Sequence, residues 1–149
     1  MPLEQLGLIA EIFASIATVA AFLVVAHEIR KSRQSENRSQ VLETKKMFQE
    51  LFSYRKIASA MTWKSFNHFN KKYPPTSEEF WASQIVLEFF DTIGDSIRSG
   101  ELEKLPMLRL WGTKATFYWW KFGDIISARN KEQNIETFAE LKWLAEVTT

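Results

Sequence analysis

The chain has 149 residues, enough for one domain, and 46% of them are hydrophobic while 25% are charged. Its net charge of +1 excludes a uniformly basic nucleic-acid binder, and the absence of cysteine excludes a disulfide framework, an iron–sulfur cluster and a thiol nucleophile. Two histidines, His27 and His68, leave little room for a histidine metal cage.

The first element is an apolar segment, residues 6–26, whose one charged residue is Glu11. As a helix rising ~1.5 Å per residue it covers ~31 Å, which matches a hydrocarbon core of ~30 Å. We therefore predict a transmembrane helix after an N-terminal tail, residues 1–5. A buried core helix and a cleaved signal peptide are the alternatives, and the second is disfavoured because no basic residue precedes Arg30. Since basic residues stay on the cytoplasmic side, we expect a single-pass membrane protein with its N-terminus outside and the rest of the chain in the cytoplasm.

Small residues line one face of this span. They are Gly7, Ala10, Ala14, Ala17 and Ala21, spaced alternately three and four residues apart. In lipid, small faces let helices approach closely, so we expect packing against a second copy or another membrane protein. Glu11 borders this face, where it either stays hydrated near the outer headgroups or fixes a partner helix.

A basic helix, residues 27–60, is expected to continue the span into the cytoplasm, because it lacks proline and glycine. Residues 27–72 carry a net charge of +7 and residues 73–149 one of −4. The basic residues nearest the span are Arg30, Lys31, Arg33 and Arg38, which can bind the headgroups of anionic membrane lipid. The favoured interpretation of their charge is that it sets the membrane topology and forms a solvated helix face, and a further alternative is pairing with the acidic half of the chain.

An aromatic and basic connection, residues 61–75, follows and contains the run WKSFNHFNKKY. Such a mixture occurs in proteins that bind single-stranded nucleic acid. Because no recognisable nucleic-acid motif is present, we expect no nucleic-acid partner. We expect instead that these aromatic rings cover a hydrophobic core.

A helical domain is expected over residues 76–149, with three helices at about 77–99, 107–129 and 134–146. Thr76 is expected to cap the first of them in a capping box with Glu79, and Gly100 to end it. No strand-like alternation bounded by turn residues occurs. The predicted fold class is therefore all-α: a transmembrane helix that continues into a long juxtamembrane helix, packed on a small cytoplasmic helical bundle.

Two groups of charged residues in this domain are candidates for a site. Glu88, Asp91 and Asp95 recur at spacings of three and four on the side opposite the apolar stripe, so they are weak candidates for a divalent metal, and a solvated acidic face is favoured. Arg129 is expected to form a structural ion pair with Asp91 or Asp95. No phosphate loop, dinucleotide fingerprint or catalytic motif occurs, so we predict a protein without cofactor or enzymatic activity.

Four segments together resemble the bacterial family called domain of unknown function 4760. They are IRKSRQSENRSQ after the anchor, LEFFDTIGDSIRSGELEKL, FYWWKFGDIISARN and the closing NIETFAELKWLA. The resemblance covers nearly the whole chain and implies a single-pass protein of the bacterial inner membrane with a cytoplasmic helical domain and no established activity. It carries over no catalytic residues.

Three functional hypotheses follow from these patterns. The favoured one is a membrane-tethered interaction or scaffolding module, non-enzymatic and self-associating through its small-residue face. The alternative is a membrane-associated sensor or effector that binds an anionic lipid or small anionic ligand through the basic segment. An enzyme with a metal at the three acidic residues has the weakest support.

Overall fold

Six α-helices follow one another in the computed structural model, which describes residues 2–149. They are α1 (Leu3–Glu50), α2 (Phe52–Ala60), α3 (Phe66–Lys72), α4 (Glu78–Arg98), α5 (Lys104–Gln133) and α6 (Ala139–Thr148). The described residues contain no strand, which confirms the all-α prediction. The backbone separates into two units, one ending at Ser39 and the other comprising Gln40–Thr149.

The first unit is the N-terminal part of α1, and it is long and apolar enough to cross a membrane. In the most apolar stretch of 18 residues of this helix, no residue is buried. Its polar side chains bond within the helix: the hydroxyl of Ser15 donates to the carbonyl of Glu11 and that of Thr18 to the carbonyl of Ala14, each at 2.9 Å. The expected tail, residues 1–5, is helical from Leu3, and Met1 lies outside the described residues.

The C-terminal part of α1 belongs to the core of the second unit. Thr44 is buried and its hydroxyl oxygen accepts a hydrogen bond from the indole nitrogen of Trp111 at 3.2 Å. The ring of Phe48 packs at 4.8 Å from Trp111. The expected continuous helix over 27–60 is interrupted at Leu51, after which α2 begins.

The connection over residues 61–75 contains a further helix, α3. Ser65 caps it, because its hydroxyl oxygen accepts a hydrogen bond from the amide of His68 at 3.2 Å. Phe69 and Tyr73 are buried in the core cluster, and the Tyr73 hydroxyl accepts from the amide of Thr62 at 3.0 Å. The expectation that these aromatic rings cover a core is confirmed.

Helix α4 begins one residue later than the capping box predicts. The hydroxyl of Ser77, not that of Thr76, accepts a hydrogen bond from the amide of Phe80 at 3.2 Å, and it donates to the carbonyl of Pro74 at 2.7 Å. Its apolar stripe is buried as predicted from the spacing: Ala82, Val86, Phe90, Ile93 and Ile97. Gly100 follows the helix with a φ of 83°, the left-handed conformation that glycine adopts without strain.

Helices α5 and α6 differ from the predicted 107–129 and 134–146 at their ends. Helix α5 includes Pro106 in its first turn, where the missing N–H needs no helical acceptor. It ends at Asn134, whose φ of 51° is a left-handed cap. Asn134 therefore closes α5 instead of opening α6, and α6 starts at Ala139.

Two glycines let α6 pack closely on its neighbours. A Cβ added to Gly94 on α4 would lie 2.6 Å from the carbonyl oxygen of Glu140. A Cβ added to Gly112 on α5 would overlap the side chain of Thr148 near the other end of α6. Leu141 and Leu144 of α6 are fully buried in the resulting three-helix contact.

Candidate binding cleft

An open cleft of about 720 Å³ lies in the second unit, between α3, α4, the end of α5 and the α5–α6 connection. Its volume is in the range of small-molecule sites, ~300–1,000 Å³. Its lining combines aromatic rings with charged and amide side chains: Phe66, Asn70, Tyr73, Pro75, Phe80, Gln84, Glu88, Asp91, Arg129, Glu132, Gln133, Ile135, Glu136, Thr137 and Phe138.

Arg129 is the basic residue of this lining, and its guanidinium is half-buried. The guanidinium carbon lies 5.1 Å from the ring centroid of Phe80 and 5.9 Å from that of Phe69, distances at which a cation is attracted to the ring face. Burial lowers the pKa of Arg129 from its usual value, and the neighbouring Glu132 carboxylate opposes this shift.

The expected ion pair of Arg129 with Asp91 or Asp95 does not form. Within residues 2–149 the side-chain ion pair joins Arg98 to Glu140 at 3.1 Å, and no hydrogen bond from the Arg129 guanidinium to another described residue is present. The guanidinium lies instead beside the Phe80 and Phe69 rings, where its N–H donors remain available to a ligand.

Asp91 caps α6 from a neighbouring helix. Its carboxylate oxygen accepts a hydrogen bond from the amide of Leu141 at 2.9 Å. The residue at the N-cap position of α6 is Phe138, whose side chain cannot accept a hydrogen bond. Asp91 therefore takes its place and satisfies one of the backbone N–H groups of the first turn that have no partner within the helix. Burial raises the pKa of the Asp91 carboxyl above its usual 3.8, and the neighbouring backbone amides of Leu141 and Glu140 oppose the shift.

The predicted acidic face is therefore split between different environments. Glu88 and Asp95 are exposed, but Asp91 is half-buried against α6, so the prediction of a fully solvated face is wrong at that residue. Glu88 and Asp91 line the cleft and Asp95 does not. Within residues 2–149, no three histidine, cysteine or acidic side chains come together in a way that can hold a metal ion.

The wall made by the α5–α6 connection is fixed by one asparagine. The amide oxygen of Asn130 accepts hydrogen bonds from the Thr137 hydroxyl at 2.7 Å and the Thr137 amide at 3.3 Å, while its amide nitrogen donates to the Thr137 carbonyl at 3.2 Å. Phe138 then takes a φ of 56°, an uncommon conformation for a bulky side chain. Such strain persists only where neighbouring contacts impose it, and it recurs at ligand sites.

The other candidate residues lie in the first unit, outside the cleft. The small-residue face is exposed along α1: Gly7, Ala10, Glu11, Ala14, Ala17 and Ala21. The basic residues that follow it are exposed as well: Arg30, Lys31, Arg33 and Arg38.

Sequence reasoning singled out Arg129 but missed most of the residues around it. Phe80, Phe138 and Asn130 were not assigned to a site. The one available signal was that Asn130 and Asn134 stand at an interval that suits a helix end and a side-chain clamp.

The fold and cleft together define a class: an all-helical protein with one exposed apolar helix and a helical bundle that carries an open, mixed-charge cleft. The chain belongs to the family DUF4760, described as a domain of unknown function, whose sequence model matches residues 9–147. No curated protein and no solved structure gave a significant match.

Proposed function

We propose that this protein is a membrane-tethered, non-enzymatic interaction module with a single-pass N-terminal anchor and a cytoplasmic helical domain. The observation that carries the proposal is the complete exposure of the apolar part of α1, in which no residue of the most apolar window is buried. An apolar helix of this length left in water exposes a far larger apolar patch than a soluble protein tolerates. Lipid, or other helices within lipid, satisfies it.

A second exposed apolar surface, on α5, supports the interaction role. The solvent face of α5 carries Phe117 and Trp120, three residues apart on one side of the helix and 50% and 75% exposed. The aromatic residues of α5 are therefore divided between two sides of the helix, because Trp111, Tyr118 and Phe122 are buried in the core. Exposed Trp and Phe are typical anchors of protein interfaces.

Self-association through the small-residue face is the specific form of the proposal. Ala14 and Ala17 stand at its centre, and an added Cβ at Gly7 would meet no atom within 4 Å, so the face is open along its length. In lipid, close approach of such faces yields van der Waals packing that larger side chains prevent. The Ser15 and Thr18 hydroxyls are already bonded within the helix, so packing leaves neither hydroxyl unsatisfied.

Crosslinking of the full chain in membranes tests this proposal. Replacing Ala14 and Ala17 with Leu should reduce the crosslinked dimer several-fold, because the two side chains hold the helices apart. Val19→Leu, on the opposite face, is the matched control and should leave the dimer unchanged. An unchanged crosslinking pattern in the double variant would refute self-association through this face.

Binding of anionic lipid by the basic segment is the second candidate function. Full exposure of Arg30, Lys31, Arg33 and Arg38 favours it, since each charge near an anionic surface contributes ~1 kcal/mol. In nanodiscs holding the full chain, amide exchange over residues 28–40 should slow when anionic lipid replaces zwitterionic lipid. Replacing the four residues with Gln should abolish the difference, and equal exchange in both lipids contradicts this candidate.

A further inference from the structure

We propose that the cleft around Arg129 binds a small zwitterion with an apolar side chain, of the α-amino acid class. In this assignment the ligand carboxylate binds the Arg129 guanidinium. Its ammonium group faces the α4 carboxylates of Glu88 and Asp91, and its side chain lies against the aromatic lining. The proposal concerns the second unit and does not depend on the membrane anchor.

The guanidinium of Arg129 is placed as an anion receptor. Its central carbon lies 5.1 Å from the ring centroid of Phe80, and the described residues provide no hydrogen-bond acceptor for its donors. A planar guanidinium with free donors binds a carboxylate through two parallel hydrogen bonds. Because the group is half-buried in an open cleft, a carboxylate that enters can replace the water at these donors.

The charge of the remaining lining selects a ligand that carries both signs. The cleft is lined by the four carboxyl side chains Glu88, Asp91, Glu132 and Glu136, against the one guanidinium of Arg129. A ligand with only negative charge, a phosphate dianion above all, would be repelled by this excess. A ligand with only positive charge would leave Arg129 without an acceptor. An ammonium beside a carboxylate satisfies both kinds of group.

The apolar part of the lining sets the character of the ligand side chain. Phe66, Tyr73, Phe80 and Phe138 contribute rings to the cleft, and Phe80 and Phe138 are partly buried against the core. The Asn130 clamp on Thr137 fixes the backbone that carries Phe138, so this wall is formed before a ligand arrives. Preformed walls lower the ordering cost of binding.

Calorimetric titration of the full chain in detergent, with three matched probes, tests the proposal. L-Phenylalanine carries both charges, 2-phenylethylamine the ammonium alone and 3-phenylpropionate the carboxylate alone. L-Phenylalanine should bind at least tenfold more tightly than either analogue. No binding of L-phenylalanine at millimolar concentration, or equal binding of all three probes, overturns the proposal.

Two pairs of variants assign the contacts. Arg129→Gln should weaken the binding of L-phenylalanine at least tenfold and leave that of 2-phenylethylamine nearly unaffected. Arg109→Gln, at an exposed position on the same helix, should change the affinity for neither probe.

Glu88→Gln should weaken the binding of both L-phenylalanine and 2-phenylethylamine severalfold, and Glu79→Gln, at another exposed position, is its control. Glu88 is exposed, so its variant keeps the fold even where Arg129→Gln loses stability; unchanged affinity in Glu88→Gln counts against the assigned ammonium site.

Discussion

The Asp91 carboxylate accepts a hydrogen bond from the amide of Leu141, in the first turn of α6, and its pKa is raised because the group is half-buried. The hydrogen bond leads to different expected losses of stability for two substitutions of Asp91. Asp91→Ala removes the acceptor and should lower the free energy of unfolding by about 1–2 kcal/mol, the usual loss for a helix cap. Asp91→Asn retains an acceptor oxygen and should lose much less. Chemical denaturation of the full chain in detergent, with amide exchange at Leu141, measures both.

The raised pKa of Asp91 also determines the sign of a pH effect. Because the folded chain holds the Asp91 proton more tightly than the unfolded chain, this group stabilises the fold fully below pH 3.8. That contribution is lost as the pH rises through the folded-state pKa. The unfolding free energy of the native chain, relative to Asp91→Asn, should therefore fall as the pH is raised from 3.8 toward neutrality. A constant or rising difference would contradict the burial of this carboxyl.

At the scale of elements, Gly94 determines how closely α6 approaches α4. Alanine at a helical glycine normally stabilises by about 1 kcal/mol through backbone entropy. Here its Cβ would lie 2.6 Å from the Glu140 carbonyl oxygen, and that backbone atom cannot move away independently of α6. Gly94→Ala should therefore lower stability by about 1–3 kcal/mol, the range for overpacked cores.

Gly7→Ala is the matched control for that substitution, since no atom lies within 4 Å of a Cβ placed there. Thermal unfolding of both variants followed by circular dichroism makes the comparison. A Gly94→Ala melting temperature equal to that of the native chain would mean that α4 and α6 separate at little cost.

Local periodicity was sufficient to predict the interior of α4, because its buried stripe from Ala82 to Ile97 recurs at the helical interval. Helix ends depended on details that periodicity does not carry. Asn134 and Phe138 both adopt positive φ, and only the first is a residue type that signals it. The role of Asp91 was inaccessible from sequence, since its partner Leu141 is fifty residues away.

The cleft was unpredictable for the same reason, at a larger scale. Its lining comes from α3, α4, α5 and the α5–α6 connection, and α3 itself was expected to be part of an irregular connection. Arg129 could be identified as unusual in an apolar context, but the choice between an ion pair and a guanidinium beside an aromatic ring depends on where Phe80 lies. That placement is a tertiary property.

For the whole molecule, the division after Ser39 predicts that the second unit folds without the apolar helix. Its core includes residues of α1: Thr44 accepts a hydrogen bond from Trp111, and Phe48 packs against Phe89 and Trp111 at 5.4 and 4.8 Å. A fragment of residues 40–149 should therefore unfold cooperatively. A fragment of residues 52–149 loses the partly buried Phe48 ring and the Thr44 acceptor of Trp111, so it should be less stable by about 2–4 kcal/mol.

Circular dichroism melts of the two fragments test this division, with Phe48→Ala in the longer fragment as a control. If the missing ring accounts for the loss, the control variant should reproduce most of it. Equal stability of the two fragments would place the start of the folded unit at α2. A longer fragment that fails to unfold cooperatively would instead mean that the second unit requires the apolar helix, because only residues before Gln40 differ between it and the full chain.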